Sequence, residues 1–213
     1  MTRVLVLGEN TFPFHEIEAK ADHFESILAD HDVTVTTDRD ALTGEYDVLV
    51  DYLTDSTLTD EQVDALLAHV ESGGGYVGVH CASDLTSTAP DDPDDVIDHR
   101  EEPFPELREL LGGHFLTHPD QSEFGVDVVA DHPVVAGVGD FSVFDEPYQV
   151  EVDDDVTVLA RMDHPDLEEY PVVWTNESAG RVAYISLGHT DEAFETEAFG
   201  QLLRNAVAWA GDA

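Results

Sequence analysis

The chain alternates short apolar runs with stretches of helical periodicity, and this alternation limits the folds that it can adopt. The run Val4–Leu7 ends in a glycine, and apolar residues then recur at near-helical spacing between residues 15 and 30. A second apolar run, Val48–Val50, precedes Thr59–Val70, whose Thr-x-x-Gln start is typical of a capped helix, and Tyr76–Val79 is again strand-like. This order predicts a mostly parallel sheet covered by helices on both faces.

The second half of the chain is richer in strand patterns. Pro171–Trp174 and Arg181–Ser186 are spaced like a hairpin around a turn at 176–180, and 196–210 reads as an amphipathic helix. We therefore expect one domain over residues 1–213: an α/β, three-layer sandwich with an antiparallel C-terminal extension.

Charge restricts the partners of the chain. Lys and Arg number 8 against 48 Asp and Glu, which gives a formal net charge of −40. Such a surface repels phosphate, so a nucleic acid, an anionic membrane and an anionic sugar phosphate are disfavoured, and we expect a small neutral carbohydrate. Lys20 is the only lysine, and an acidic, lysine-poor surface suits a halophile.

The sequence also predicts a cytoplasmic location. Cys81 is the only cysteine, so no intramolecular disulfide can form. Met1–Asn10 has a strand pattern and lacks the basic start and apolar core of a signal peptide, and no run approaches about 18 uninterrupted apolar residues. The sequence leaves open whether the chain forms a homo-oligomer.

Several chemically active residues follow predicted strands. In an open α/β sheet, ligands bind outside the carboxyl ends of the strands. Asn10 and His15 follow the first strand, His80 and Cys81 follow the central one, and His189 follows the last long one. We expect these side chains to meet at one edge of the sheet.

Gly78–Ala82 has the small-x-x-x-small pattern of a sharp strand-to-helix elbow, with His80 at its apex. Cys81 is then either a small buried thiol or, with His189 and Asp191 or Glu192, part of a thiol triad.

His114 and His118 stand four residues apart, beside paired glycines and Pro119, which favour a loop. Two imidazoles with a carboxylate such as Glu146 would suit a divalent transition metal, zinc, manganese or iron, although exposed loop histidines have the same spacing. Tyr148 would bring a phenol to the same rim.

Two further stretches carry no site prediction. The acidic segment 91–102 predicts a solvated excursion. Gly8 stands alone before the first helix, without a dinucleotide fingerprint, so no nucleotide cofactor is expected.

Four segments, taken in order, resemble the trehalose-utilisation (ThuA-like) family: Gly73–Asp84, Gly112–Pro119, Asp145–Tyr148 and Gly180–Thr190. Phe14–His15 is similar to the aromatic-histidine pair of that family, and the resemblance extends from about Val4 to Trp209. It implies a flavodoxin-like, class I glutamine-amidotransferase-like sheet and a role in the catabolism of trehalose or related disaccharides through keto-sugars.

The resemblance also implies a set of pocket residues. These are His15, His80, His118, Glu146 and His189, with Asp84 and Tyr148 as second choices. The chain departs from the family at Cys81, where a small residue is common, and at Pro147, where an aromatic residue is common.

Three functions are consistent with these residues. The first is a sugar-processing enzyme of lyase, hydrolase or isomerase type, with His80, His189 and Glu146 as catalytic residues. In this hypothesis Asn10, His15, Asp84, His114 and Tyr148 contact the sugar, and His80, His118 and His189 hold any metal. The second is a Cys81-dependent amidotransferase or hydrolase, and the third is a non-catalytic sugar-binding module.

The acidic surface predicts salt-dependent stability. At about 1 M salt the Debye length is roughly 3 Å, so KCl screens the repulsion among the carboxylates. Far-UV circular dichroism should show cooperative melting in molar KCl and a lower melting temperature in dilute buffer. Equal melting temperatures in the two buffers would contradict the halophilic interpretation.

Overall fold

A computed structural model describes residues 1–92 and 94–212. Within these residues the strands are β1 (Arg3–Gly8), β2 (Asp32–Thr36), β3 (Val48–Tyr52), β4 (Gly75–Val79), β5 (Ser87–Thr88), β6 (Asp98–His99), β7 (Gly113–Thr117), β8 (Ser122–Val128), β9 (Phe141–Asp145), β10 (Gln149–Val152), β11 (Thr157–Asp163), β12 (Pro171–Asn176) and β13 (Arg181–Ile185). The α-helices are α1 (Ile17–Ile27), α2 (Asp60–Glu71), α3 (Pro105–Leu111), α4 (Asp191–Glu195) and α5 (Glu197–Gly211).

Most of the strands belong to one mixed sheet with the order β2-β1-β3-β4-β13-β12-β11-β8-β9. The first five strands are parallel and follow the doubly wound order 2-1-3-4-5, with β13 as the fifth. From β13 to β9 every pairing is antiparallel. The predicted α/β class is confirmed, but the sheet is mixed and not mostly parallel, because the antiparallel extension already begins at β8.

Side-chain alternation assigns the helices to the two faces of the sheet. In β3, Val50 packs into a core with Phe24 of α1 and Leu202 of α5, whereas Leu49 packs with Leu66 of α2 on the opposite face. Both faces are therefore covered, as the apolar runs predict.

The start of α2 is the local feature that the sequence predicts best. Thr59 accepts a hydrogen bond from the backbone N–H of Gln62, and the Gln62 side chain accepts one from the N–H of Thr59. This reciprocal pair is the predicted capping box.

His114 lies in a strand, so the loop prediction is wrong for it, whereas His118 and Pro119 follow the strand in a loop, as predicted. Gly112 has φ +66° and ends α3, and Gly113 then begins β7, which pairs with β10. A Cβ at Gly113 would lie 2.9 Å from the Trp174 ring, so the paired glycines permit close packing and a helix stop.

The acidic segment 91–102 is only partly a solvated excursion. Most of its described side chains are exposed, and its residues 98–99 form β6, which pairs with β5. Pro93 lies outside the described residues. Among the described residues, no helix is long and apolar enough to cross a bilayer.

A buried carboxylate on β3 makes stability depend on pH. Asp51 is 2% exposed and accepts hydrogen bonds from the Tyr76 hydroxyl (2.7 Å) and the Leu53 N–H (2.9 Å). Burial raises the pKa of Asp51 from 3.8 to about 6. The folded state thus holds a proton that the unfolded chain releases, and this group lowers the free energy of unfolding as pH rises from about 4 to about 6.

Replacement of this carboxyl by an amide tests the effect. Asp51→Asn removes the penalty, so at pH 7.5 the variant should unfold with a free energy higher by up to about 3 kcal/mol. The advantage should shrink as pH falls from about 6 to about 4 and should be absent below about pH 4, where the wild-type carboxyl is protonated in both states. Urea unfolding in molar KCl at several pH values measures the difference, and a pH-independent difference would contradict the assignment.

Candidate functional site

Strand ends from both halves of the sheet bring three imidazoles and one carboxylate into contact. His15 follows β1, His80 follows β4, Glu146 follows β9 and His189 follows β13. Glu146 Oε2 lies 3.2 Å from His189 Nδ1 and 3.4 Å from His80 Nε2, and His15 Nε2 lies 3.1 Å from His189 Nδ1. One potential ligand atom from each residue lies within 4.8 Å of all the others. We call these four residues the His/Glu cluster.

A strained elbow places His80 in the cluster. His80 has φ +47° and is the only non-glycine residue with positive φ among the described residues. The Tyr184 hydroxyl donates to the His80 carbonyl (2.6 Å) and accepts from Ser83 Oγ (2.6 Å), which holds the backbone in this sparsely populated conformation. The predicted apex at His80 is confirmed.

One buried carboxylate holds the loop that carries His189. Asp145 is fully buried and accepts the backbone N–H groups of Gly188 (2.7 Å), His189 (3.1 Å) and Thr190 (3.1 Å). The Tyr52 hydroxyl donates to the Gly188 carbonyl (2.8 Å), and Gly188 has φ +123°, which favours glycine. Asp145 therefore fixes the backbone next to the His189 imidazole.

A second buried carboxylate supports His15 through a threonine. Glu9 Oε1 accepts the N–H groups of Thr54 (3.0 Å) and Asp55 (2.6 Å), and Arg39 contacts Glu9 Oε2 at 3.2 Å. Thr54 Oγ1 lies 2.7 Å from His15 Nδ1. The ring of His15 is thus oriented from the β3 side of the sheet.

The environment favours uncharged imidazoles beside an ionised carboxylate. Burial lowers the pKa of His189 to about 4, and burial with neighbouring His80 and His189 lowers the pKa of His15 well below its usual value. Burial alone would raise the pKa of Glu146, but the hydrogen bond and charge of His80, with His189 and His118, bring the net pKa below its ordinary value.

The cluster forms one wall of a cavity of about 520 Å³. Tyr148 and Phe115 pack with ring centroids 4.4 Å apart on another wall, and His118 stacks on Tyr148 at 5.6 Å. None of the lining residues is a lysine or an arginine. They are Phe14, His15, Asp84, Thr86, Ser87, Ile97, His99, Phe115, Leu116, His118, Gln121, Glu146, Tyr148 and His189.

Comparisons with known proteins identify the family of the chain. A family model described as "Trehalose utilisation" (ThuA) matches residues 3–210. The chain belongs to the ThuA family. A search of curated proteins finds no match to it.

Solved structures share the fold. A ThuA-like protein of Bacteroides uniformis is 24% identical with a TM-score of 0.76, over 98% of this chain and 91% of that one. A ThuA-like protein of Parabacteroides merdae is 18% identical with a TM-score of 0.72, over 99% of this chain and 90% of that one. A cold-adapted β-galactosidase of Rahnella sp. R3 is 16% identical with a TM-score of 0.69, over 95% of this chain but only 31% of that one.

Most of the residues that the ThuA resemblance implies line the cavity. His15, His80, Glu146 and His189 form the cluster, and His118 Nε2 lies 3.6 Å from Glu146 on its outer side. His118 is not among the four grouped ligand residues, although the sequence analysis named it as a metal ligand. Asp84 and Tyr148 also line the cavity.

Two predicted sugar contacts lie elsewhere. Asn10 is exposed, and its Oδ1 accepts the N–H of Glu18 (3.1 Å), near the start of α1. The Arg108 Nε donates to His114 Nδ1 (2.9 Å), while the same guanidinium pairs with Asp153 (2.9 Å). Neither Asn10 nor His114 lines the cavity, because other polar groups of the protein hold both side chains.

The structure contradicts the interpretation of Cys81 as a nucleophile. Its side chain is fully buried, and burial raises the pKa of the thiol well above its usual value. A catalytic thiol needs access and a lowered pKa. In this member of the ThuA family, Cys81 packs in the core beneath the elbow.

Sequence reasoning missed Asp145, Thr54 and His99. Asp145 precedes Glu146, and strand alternation would have pointed the two side chains to opposite sides had β9 been predicted. Thr54 follows the end of β3, where the same carboxyl-end rule applied. His99 lies in a segment whose acidic composition hides its contact with the cavity.

Proposed function

We propose that the His/Glu cluster binds one divalent transition metal ion. The observation that carries the proposal is the convergence of three imidazole nitrogens and a carboxylate oxygen, with adjacent separations of 3.1, 3.2 and 3.4 Å. Ligand atoms about 2.0–2.1 Å from a tetrahedral zinc ion are separated by about 3.3 Å. The donor set therefore fits zinc, and manganese or iron also accept imidazole and carboxylate ligands.

The proposal changes the role of His80. The sequence predicts His80 or His189 as the general acid or base. His80 is fully buried, its Nδ1–H donates to the Ser186 carbonyl (2.9 Å), and its Nε2 faces Glu146 and Tyr148. Neither nitrogen of His80 reaches the cavity, so we assign His80 to metal binding. We propose His118, which lies at the cavity wall, as the general acid and base.

The ligand class follows from the lining of the cavity. Aromatic rings suit the apolar face of a sugar, while Asp84, Thr86, Ser87 and Gln121 offer hydrogen bonds to hydroxyl groups. A lining without lysine or arginine offers no permanently charged cationic side chain to a phosphate or a carboxylate group. We infer that the ligand is a neutral carbohydrate, related to trehalose as the family description suggests.

The reaction class is a proton shift or bond cleavage next to a sugar carbonyl, of lyase, hydrolase or isomerase type. A bound divalent metal would supply polarisation of that carbonyl oxygen. The aromatic wall orients the ring, and His118 Nε2 lies beside Glu146 where it can exchange a proton with the ligand. We further propose that the sheet belongs to the flavodoxin-like, class I glutamine-amidotransferase-like group, which its strand order supports. The acidic composition supports our proposal of a cytoplasmic protein from a halophile.

Metal content tests the cluster. Untagged protein purified in molar KCl should contain about one transition metal ion per chain by elemental analysis. His189→Ala and Glu146→Gln each remove a ligand atom, and metal affinity should fall by roughly 100-fold or more.

The matched control is His132→Ala. His132 lies 3.8 Å from Glu177 and packs on Trp209, away from the cavity, so its removal should leave the metal content unchanged. Wild-type protein without bound metal, even after incubation with Zn²⁺, Mn²⁺ and Fe²⁺, would refute the metal site.

A matched pair of sugars tests the ligand class. Trehalose at about 100 times its Kd should raise the melting temperature of the metal-loaded protein by roughly 5 °C or more, and trehalose 6-phosphate should not. Stabilisation by the phosphate alone, or by neither sugar, would contradict a neutral carbohydrate site. Conversion of keto-trehalose, followed by NMR, separates an enzyme from a binding module, since a binding module leaves the keto-sugar unchanged.

A further inference from the structure

A neutral His80 ring has one free nitrogen lone pair, and a hydrogen bond to the backbone determines which of the two ring nitrogens carries it. Nδ1 is 2.9 Å from the Ser186 carbonyl oxygen, which can only accept a hydrogen bond. The proton is therefore on Nδ1, and in any form of the ring that binds a cation the lone pair is on Nε2.

When the ring is neutral, the Tyr148 hydroxyl occupies this lone pair. Its hydroxyl lies 3.0 Å from His80 Nε2, and the two rings lie 4.2 Å apart at an interplanar angle of 31°. Among the described residues, this nitrogen is the only hydrogen-bond partner of the Tyr148 hydroxyl. Tyr148 is 3% exposed, and it contributes to the lining of the cavity.

A cation and a hydroxyl cannot share one lone pair. When Nε2 serves a metal ion, the Tyr148 O–H loses its acceptor in a buried position, which costs free energy unless another acceptor is found. Tyr148 lines the cavity beside Glu146, so the nearest open space is where the ligand would lie.

We propose that Tyr148 and the metal ion compete for His80 Nε2, and that in the metal-loaded protein the released hydroxyl donates a hydrogen bond to an oxygen atom of the bound ligand. This inference rests on the proposed metal site. Tyr148 then has two roles. In the metal-free protein its hydroxyl donates a hydrogen bond to His80 Nε2, and in the metal-loaded protein it orients an oxygen atom of the ligand.

The competition predicts that one substitution beside the cluster increases the affinity for the metal ion. Removal of a cluster residue weakens metal binding, whereas Tyr148→Phe removes a competitor and should strengthen it. A typical hydrogen bond corresponds to about a fivefold change in an equilibrium constant, so Co²⁺ should bind about fivefold more tightly to the variant. The loss of the donor should weaken an oxygen ligand of the bound metal by about the same factor.

The experiment uses Co²⁺ as the metal and acetohydroxamate as the oxygen ligand, in molar KCl at pH 7.5. Visible absorption of bound Co²⁺ gives its Kd for wild type, Tyr148→Phe and the control Tyr46→Phe. The Tyr46 hydroxyl contacts the Leu42 carbonyl at 3.3 Å, outside the cavity lining. Acetohydroxamate is then titrated into each Co²⁺-loaded protein, and the control should match wild type in both titrations.

The outcomes separate this inference from the proposed function. If wild type does not bind Co²⁺, both the metal site and the inference fall. If wild type binds Co²⁺ and Tyr148→Phe binds it equally or more weakly, the metal site stands and the competition is refuted. Tighter Co²⁺ binding with unchanged acetohydroxamate affinity would refute the donor role.

A measurement on wild type covers the case in which Tyr148→Phe does not fold. In protein labelled with ¹³C at the tyrosine Cζ, the resonance that Co²⁺ broadens most identifies Tyr148, whose ring lies nearest to His80 among the tyrosines in contact with the cluster. Addition of Zn²⁺ should shift this resonance as the hydroxyl changes partner. An unshifted resonance in zinc-loaded protein would refute the inference.

Discussion

The hydrogen bonds of one buried carboxylate join the two halves of the sheet at the site. Asp145 ends β9, the last antiparallel strand, and accepts three N–H groups from the loop after β13, the last parallel strand. β9 and β13 are separated by three strands in the sheet, so they share no ladder hydrogen bonds. Asp145, together with the Thr190 hydroxyl that donates to the Phe144 carbonyl (2.6 Å), therefore holds the segments that carry Glu146 and His189 side by side.

The same carboxylate contributes to the charge balance of the cluster. Burial raises the pKa of Asp145, whereas the imidazoles of His80, His189 and His118 bring the pKa of Glu146 below its ordinary value, and a divalent cation would favour the ionised form of both carboxyls. The −40 net charge lies on a surface that concentrated salt screens, whereas buried carboxylates are screened much less. A divalent cation at the cluster would therefore be compensated by local groups even at high salt.

The sequence predicts the fold well where a residue has a local reason for its structure. The capping box at Thr59 and the His80 elbow depend on neighbours within a few positions, and both were predictable. The strand β7 was not, because the glycines that suggested a loop serve close packing against Trp174. The site was predictable as a set of strand ends, but the exclusion of Asn10 and His114 depends on long-range partners that no spacing reveals.

The hairpin β5–β6 contributes to the cavity lining but is not part of the central sheet. Every cluster residue follows a strand of the central sheet, whereas Ile97 and His99 come from the stretch of the hairpin between 91 and 102. The length and composition of this hairpin can change without displacing a donor atom of the cluster. A change in this hairpin would therefore alter the cavity lining at Ile97 and His99 and leave the four residues of the cluster at the strand ends of the central sheet.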